Sequence, residues 1–303
     1  MVIEKPADAN GDEERRMVLC ADDFGISPGV CDAIEDLLEK RRLSAVSAMT
    51  GFAEWRQRAA GLRAAAAGAA DVGLHLTLTD HDSLAPLPRL APGGALPGLS
   101  ALLRAAHLRR LDAAEVAAEI RAQLDAFEDA FGGAPAFVDG HQHVHVFPVV
   151  REALIAEMLR RYGASAWTRS TAEPLAAVLR RGVTPFKSAV LAVLGARHAR
   201  LADAAGIARN RGFRGAYDLG ISVPYRDLFK KFLNDAGTHP AHPLIFCHPG
   251  RDDAALRARS TLAAARAAEY AYFASAAFAE DCAQAGYRIA AFGAGQGTNL
   301  GGN

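Results

Sequence analysis

Three histidines, His141, His143 and His145, alternate within VDGHQHVHVFP at residues 138–148, with Asp139 just upstream. The chain has ten histidines in all, so this density asks for a chemical reason. If the segment runs as a strand, spacing of two puts the three imidazoles on one face. Imidazoles gathered in that way suit metal ligation, proton transfer or both. A histidine-lined pocket without metal is the plainer alternative. LCADDFGIS (19–27) adds adjacent carboxylates, Asp22 and Asp23, at the end of an apolar run. Neighbouring side chains point apart, so one can bind a metal while the other takes a proton from water. A turn closed by an Asx hydrogen bond would explain the pair equally well.

His75 stands in the apolar stretch GLHLTLTD (73–80), where a lone histidine is more often a satisfied core residue. His81 and Asp82 follow in what reads as a solvated loop. His248 in FCHPG (246–250) is turned at once by Pro249 and Gly250, as a general acid would be at a sheet edge, or as a loop residue without a role. Arg169 in WTRS (167–170) could orient a carboxylate, hold a polar or anionic substrate group, or make a surface ion pair. One aspartate and two histidines make a facial metal triad with open positions for water and substrate. Such a metal acidifies its water and polarises a carbonyl.

These residues need a scaffold that brings distant segments together. MVLCA (17–21), LSAVSAM (43–49), VGLHLTL (72–78), AFVDG (136–140), ASAWT (164–168), PLIFC (243–247) and YRIAAF (287–292) read as strands. Between them, SPGVCDAIEDLLEK begins with Ser27 as N-cap and Pro28 at the first helical position. Residues 115–131 form an amphipathic helix stopped by Gly132 and Gly133, another helix covers about 149–162, and a long Ala-rich helix spans about 260–285. Strands alternating with helices predict a parallel α/β sheet, with the reactive residues at its strand ends, as both barrels and doubly wound sheets place them.

Length allows one large domain or two ordinary ones among 303 residues. Lys plus Arg and Asp plus Glu balance at 34 each, which gives no global nucleic-acid footprint. The chain shows no G-x-G-x-x-G after its first strand and no GKS or GKT loop. Cys20, Cys31, Cys247 and Cys282 show no CxxC pairing and read as reduced, buried thiols. The polar first 14 residues give no signal peptide, and no uncharged apolar run reaches the length of a membrane span. The expectation is a cytoplasmic protein, with peripheral contact at the inner membrane face as its furthest reach.

Taken together, ADDFGIS, GLHLTLT, FVDGHQHVHVFP, TRS and CHPG resemble the YdjC-type carbohydrate deacetylases, in order across residues 17–293. The resemblance implies an irregular TIM-like (β/α) barrel and a divalent metal held by one Asp and two His. It implies hydrolysis of an N-acetyl group on an amino sugar. Matched motif by motif, Asp23, His75 and His141 would bind the metal. Asp22 would be the general base and His248 a proton donor or substrate contact. Arg169, His143 and His145 are expected to bind substrate. The family suggests Mg²⁺, while the donor set also suits Zn²⁺, Mn²⁺ or Co²⁺. Where the family usually has serine before HQH, this chain has Gly140, a change expected to alter loop rigidity rather than chemistry.

FRGAYDLG (213–220) and the segment before it resemble the hopanoid-biosynthesis-associated branch, thought to deacetylate an N-acetylglucosaminyl hopanoid. Residues 180–214 carry eight Lys or Arg and one acid, Asp203, around the apolar SAVLAVLG. Such a segment suits an anionic bilayer or a greasy substrate tail, or else is a solvated helical excursion. The expected organisation is a disordered segment at 1–14, one domain at 15–293 with a helical excursion at about 171–220, and a flexible Gly-rich tail at 294–303. The competing substrate is a soluble chito-oligosaccharide such as diacetylchitobiose. A two-metal phosphoesterase would need a second carboxylate cluster, which the sequence does not offer. A non-catalytic sugar- or metal-binding protein is the alternative from another class. Oligomeric state stays open, with a homodimer considered.

Overall fold

The computed structural model describes residues 15–218, 223–234 and 243–293. The segments expected to be disordered, 1–14 and 294–303, lie outside the described residues. In chain order the elements are β1 (Arg15–Phe24), α1 (Pro28–Glu39), β2 (Ala45–Ala48), α2 (Ala53–Ala66), β3 (Asp71–Leu76), α3 (Leu99–His107) and α4 (Ala113–Phe131). β4 (Phe137–Gly140) then runs into a short 3-10 helix (His141–Val146), followed by α5 (Val150–Tyr162), β5 (Trp167–Thr168), α6 (Leu175–Arg181) and α7 (Pro185–Ala204). β6 (Phe213–Arg214), α8 (Tyr225–Leu233), β7 (Leu244–Cys247), α9 (Ala254–Arg259), α10 (Ala263–Ala274), α11 (Ala276–Gln284) and β8 (Tyr287–Ile289) complete it.

The strands form one parallel sheet in the order β5-β4-β3-β2-β1-β7-β6, with β8 paired to the start of β1. β1 is its centre. Met17 to Phe24 are buried, as an apolar strand covered on both faces must be. The sheet curls as the expected irregular TIM-like barrel would, but it does not close. Its edges, β5 and β6, do not pair as strands; an isolated bridge between Thr168 and Arg209 is the link recorded there. Both edge strands are two residues long, too short to build a ladder.

Several local expectations hold. Ser27 accepts a hydrogen bond from the Val30 amide, with Pro28 in the first turn of α1. Gly132 ends α4 in the left-handed conformation. Others need correction. The Ala-rich helix is broken at Ser275, whose backbone is extended, so α10 and α11 are separate. β1 continues through both aspartates instead of ending before them. The histidine run does not continue β4. After Gly140 the chain enters a tight helical turn in which Gln142 and His143 have φ of 51° and 60°.

α6 and α7 occupy the connection between β5 and β6. α7 approaches the chain after β5 very closely at Gly195, where a Cβ would stand 2.2 Å from Thr171 Oγ1. Thr171 Oγ1 also donates to the Leu191 carbonyl at 2.7 Å, which fixes the helix against the sheet edge.

Candidate active site

Asp23 sits at a β-bulge. The pairing of β1 with β2 shifts register between Ala21 and Phe24, and Asp23 has φ of 68°. Bulges re-aim side chains, and here two successive carboxylates reach different partners. Asp23 Oδ1 lies 3.2 Å from His75 Nε2 and 3.0 Å from His141 Nδ1. Its Oδ2 accepts from Arg266 Nη2 at 2.6 Å. Burial pushes the Asp23 carboxyl up, but Arg266, His141 and His75 outweigh it and hold it well below the usual carboxylate range.

His75 is fixed from behind. Asp139 Oδ1 lies 2.7 Å from its Nδ1, and Ser47 Oγ donates to the same carboxylate oxygen at 2.5 Å. This arrangement commits Nδ1 and points Nε2 at Asp23, the carboxylate–histidine backing common behind metal-ligating imidazoles. Asp23, His75 and His141 offer one ligand atom each, all within 4.8 Å of one another. Two imidazole nitrogens and an ionised carboxylate fit a divalent cation. Burial opposes charge on His75, yet Asp139 and Asp22 raise its pKa to about 10. Nε2 therefore holds a proton between carboxylates, and a cation held there would take that proton's place.

Asp22 points to Arg169, which donates Nη1 to Oδ2 at 2.7 Å and Nη2 to Oδ1 at 2.6 Å. Arg169 Nη2 also lies 2.6 Å from Asp139 Oδ2. Burial raises the Asp22 carboxyl and Arg169 more than compensates, bringing its pKa down to about 2. Arg169 is 0 % exposed. It joins the two carboxylates and is not among the residues that line the cavity.

The three imidazoles of the run diverge. His141 reaches Asp23. His143 lines the cavity and stands perpendicular to the stacked pair Phe213 and Phe246, with ring centroids 5.3 and 5.0 Å away. Burial first, then Arg169, holds its pKa well below the usual histidine value. His145 is fully buried, with Nε2 3.0 Å from the Arg169 carbonyl oxygen. It is not among the residues that line the cavity. A Cβ at Gly140 would come within 3.0 Å of the His145 amide nitrogen and Nδ1. The absent side chain therefore leaves the turn room to pack His145 tightly against β4.

His248 lines the same cavity, and burial lowers its pKa to about 4. Its backbone N–H donates to Glu269 Oε2 at 2.6 Å, and its Nδ1 lies 4.0 Å from Oε1. Tyr217 Oη donates to that second oxygen at 2.5 Å. Burial raises the Glu269 pKa to about 7 even against these donors. Glu269 and Arg266 are the site residues that sequence reasoning passed over. Their signal was a charge on the inward face of an Ala-rich helix, shared with Phe273.

The folded state holds the Glu269 proton at a pH where the unfolded chain, with an ordinary value of 4.5, releases it. The resulting stabilisation is complete below the unfolded pKa and is lost as pH rises through the folded one. Glu269→Gln keeps the shape and cannot titrate. Between about pH 4.5 and about pH 8 the parent should lose on the order of 3 kcal/mol relative to this variant. Urea melts of both across that range would show it; parallel curves would contradict the assignment.

The cavity measures about 680 Å³. Asp22, Asp23, His75, His141, His143 and His248 are among its polar groups, and Phe186, Val190, Leu191 and Leu194 of α7 form an apolar wall. A polar recess lined by Thr77 and Gln123 shares Asp80, His81 and Arg259 with it.

The chain is 33% identical over 153 residues to a carbohydrate deacetylase of Homo sapiens, covering 49% of this chain and 46% of that protein. It is 31% identical over 150 residues to a chitooligosaccharide deacetylase of Enterobacter sp. (strain 638), covering 50% and 58%. The chain thus spans about half the length of these curated relatives. A crystal structure from Enterococcus faecalis V583, provisionally assigned to cellobiose-phosphate cleavage, superposes with a TM-score of 0.69 at 20% identity, covering 92% of this chain and 97% of that one. That likeness concerns the fold alone. The family model described as YdjC-like protein matches residues 16–284, and the chain belongs to this family.

Proposed function

We propose that the protein is a metal-dependent hydrolase that removes the N-acetyl group from an N-acetylated amino sugar. The observation that carries this reading is the convergence of Asp23, His75 and His141 in one cavity with Asp22 and His248. Carbohydrate and chitooligosaccharide deacetylases among the relatives support it.

A divalent ion held by Asp23, His75 and His141, with Mg²⁺ or Zn²⁺ the leading candidates, would supply Lewis acidity toward water and the acetamide carbonyl. Asp22 is ionised at neutral pH and receives the proton lost by the attacking water. Arg169 keeps that carboxylate in place and limits its basicity, so the proton is held only briefly. His248, neutral at that pH because burial lowers its pKa, passes the proton from Asp22 on to the leaving amine, with Glu269 fixing its backbone and facing its Nδ1. Arg266 restrains Asp23 from the side opposite the histidines. The products are acetate and a free amino sugar.

For the substrate, the apolar α7 wall favours an amino sugar linked to a lipid, with N-acetylglucosaminyl hopanoid the specific candidate. The polar recess at Asp80, His81 and Arg259 favours the second reading, a soluble chito-oligosaccharide extending along the groove. Acetate release should be measured with an N-acetylglucosaminyl lipid and diacetylchitobiose in parallel, with chelator and with added metals. Metal-dependent turnover of the lipid alone is the expected result. Turnover of diacetylchitobiose alone would move the substrate to the soluble class. Metal binding with no acetate from any acetylated sugar would overturn the hydrolase and favour a binding protein.

A further inference from the structure

The large apolar side chains exposed among the described residues are concentrated on three helices, α3, α6 and α7, of which α3 and α7 line the cavity. Phe186, Val190 and Val193 project from α7, Leu175 and Leu179 from α6, and Leu108 from the end of α3; Phe186 is 84 % exposed. Leu99, on α3, is also exposed and lines the cavity together with Phe186 and Val190. Among the described residues, only Leu159 and Val223 of this class lie elsewhere. Apolar exposure gathered at a cavity mouth calls for a partner, whereas scattered single residues do not.

The charge around this opening is one-sided. Residues 97–111 and 174–202 contain no Asp or Glu. The first stretch exposes Arg104, Arg109 and Arg110, and the second exposes Lys187, Arg197 and Arg200. Yet the whole chain is balanced at 34 basic and 34 acidic residues. Along α7, Phe186, Val190, Val193, Arg197 and Arg200 recur at intervals of four and three, which makes one stripe, apolar at its start and basic at its end. Among the described residues no helix is long and apolar enough to cross a membrane.

We propose that α3, α6 and α7 form a docking surface for an anionic lipid bilayer, with the cavity mouth held against the membrane. Apolar side chains that enter the headgroup boundary and arginines that meet anionic headgroups are the two components of peripheral binding. Charge selects this occupant over a second copy of the chain, because two acid-free basic rims would repel each other. Docking requires no turnover, so it stands or falls apart from the hydrolytic reading.

The test is cosedimentation of the full chain with phosphatidylcholine vesicles, with and without phosphatidylglycerol. Binding to the anionic vesicles should be at least about tenfold stronger and should weaken as salt is raised. Leu179→Ser with Val193→Ser, and separately Arg197→Glu with Arg200→Glu, change exposed residues outside the cavity wall. Each pair should weaken anionic binding about tenfold without shifting the thermal melt. Equal affinity for both vesicle types would overturn the proposal. So would binding that neither pair alters, or a solution dimer that the serine pair dissociates in light scattering.

Discussion

His141→Ala is expected to lose divalent-metal affinity by at least about a hundredfold and acetate release by on the order of a thousandfold, while melting close to the parent protein. The separation of effects follows from where His141 sits. Its side chain lines the open cavity, on the turn after β4, so its removal enlarges that space instead of leaving a sealed void. Asp23 keeps both Arg266 and His75 as partners, so no buried charge is stranded. His75→Ala is a less informative variant. That imidazole bridges Asp23 and Asp139 at the centre of the fold, and its loss would mix unfolding with inactivation. Metal content of the purified variant and acetate release are the two readings. Normal metal and normal turnover in both His141→Ala and His75→Ala would sink the proposed site.

Arg169→Met is expected to destabilise the protein by about 3–5 kcal/mol, because it strands Asp22 as a buried carboxylate and leaves Asp139 with only His75 and Ser47. That cost corresponds to a melting temperature lower by on the order of 10 °C. The same change removes the cation that holds the Asp22 carboxyl down, so burial, which already pushes it up, would prevail. Whatever activity survives should therefore require a higher pH, since Asp22 must be ionised to accept a proton. Arg169→Lys keeps the charge but lacks the planar fork that serves both carboxylates, and should recover part of the stability. Calorimetric melts and pH–rate profiles of the two variants check this. An Arg169→Met protein as stable as the parent would mean that the buried ion triad does not form.

The sequence made the parallel sheet legible because buried strands are short apolar runs, and because polar residues directly after such runs fall at strand ends. It misled at the histidine run. An H-x-H-x-H pattern imitates a strand of period two, and nothing in Gln142 or His143 announces a left-handed backbone, for which glycine or asparagine would be the usual marker. The turn sends its three rings to Asp23, to the Phe213–Phe246 pair and to the Arg169 carbonyl. Arg169 could not be read as buried, because its partner Asp22 lies 147 residues away in sequence. Asp139 was visible as a nearby acid, but its position behind His75 depends on the register between β3 and β4, which pairs those two residues. Glu269 and Arg266 were masked by alanine, which satisfies a helix and leaves its inward face poorly marked.

The unclosed seam between β5 and β6 has a consequence for how such a protein can diversify. The residues proposed to bind metal and move protons come from β1, from β3, from the turn after β4 and from the end of β7, while the rim formed by α6 and α7 is inserted where the sheet is already open. A replacement of that insertion breaks no continuous ladder of strand hydrogen bonds. Replacing the α6–α7 segment would therefore rebuild one wall of the cavity, lengthening, shortening or recharging it, without moving the strands that carry the proposed metal site.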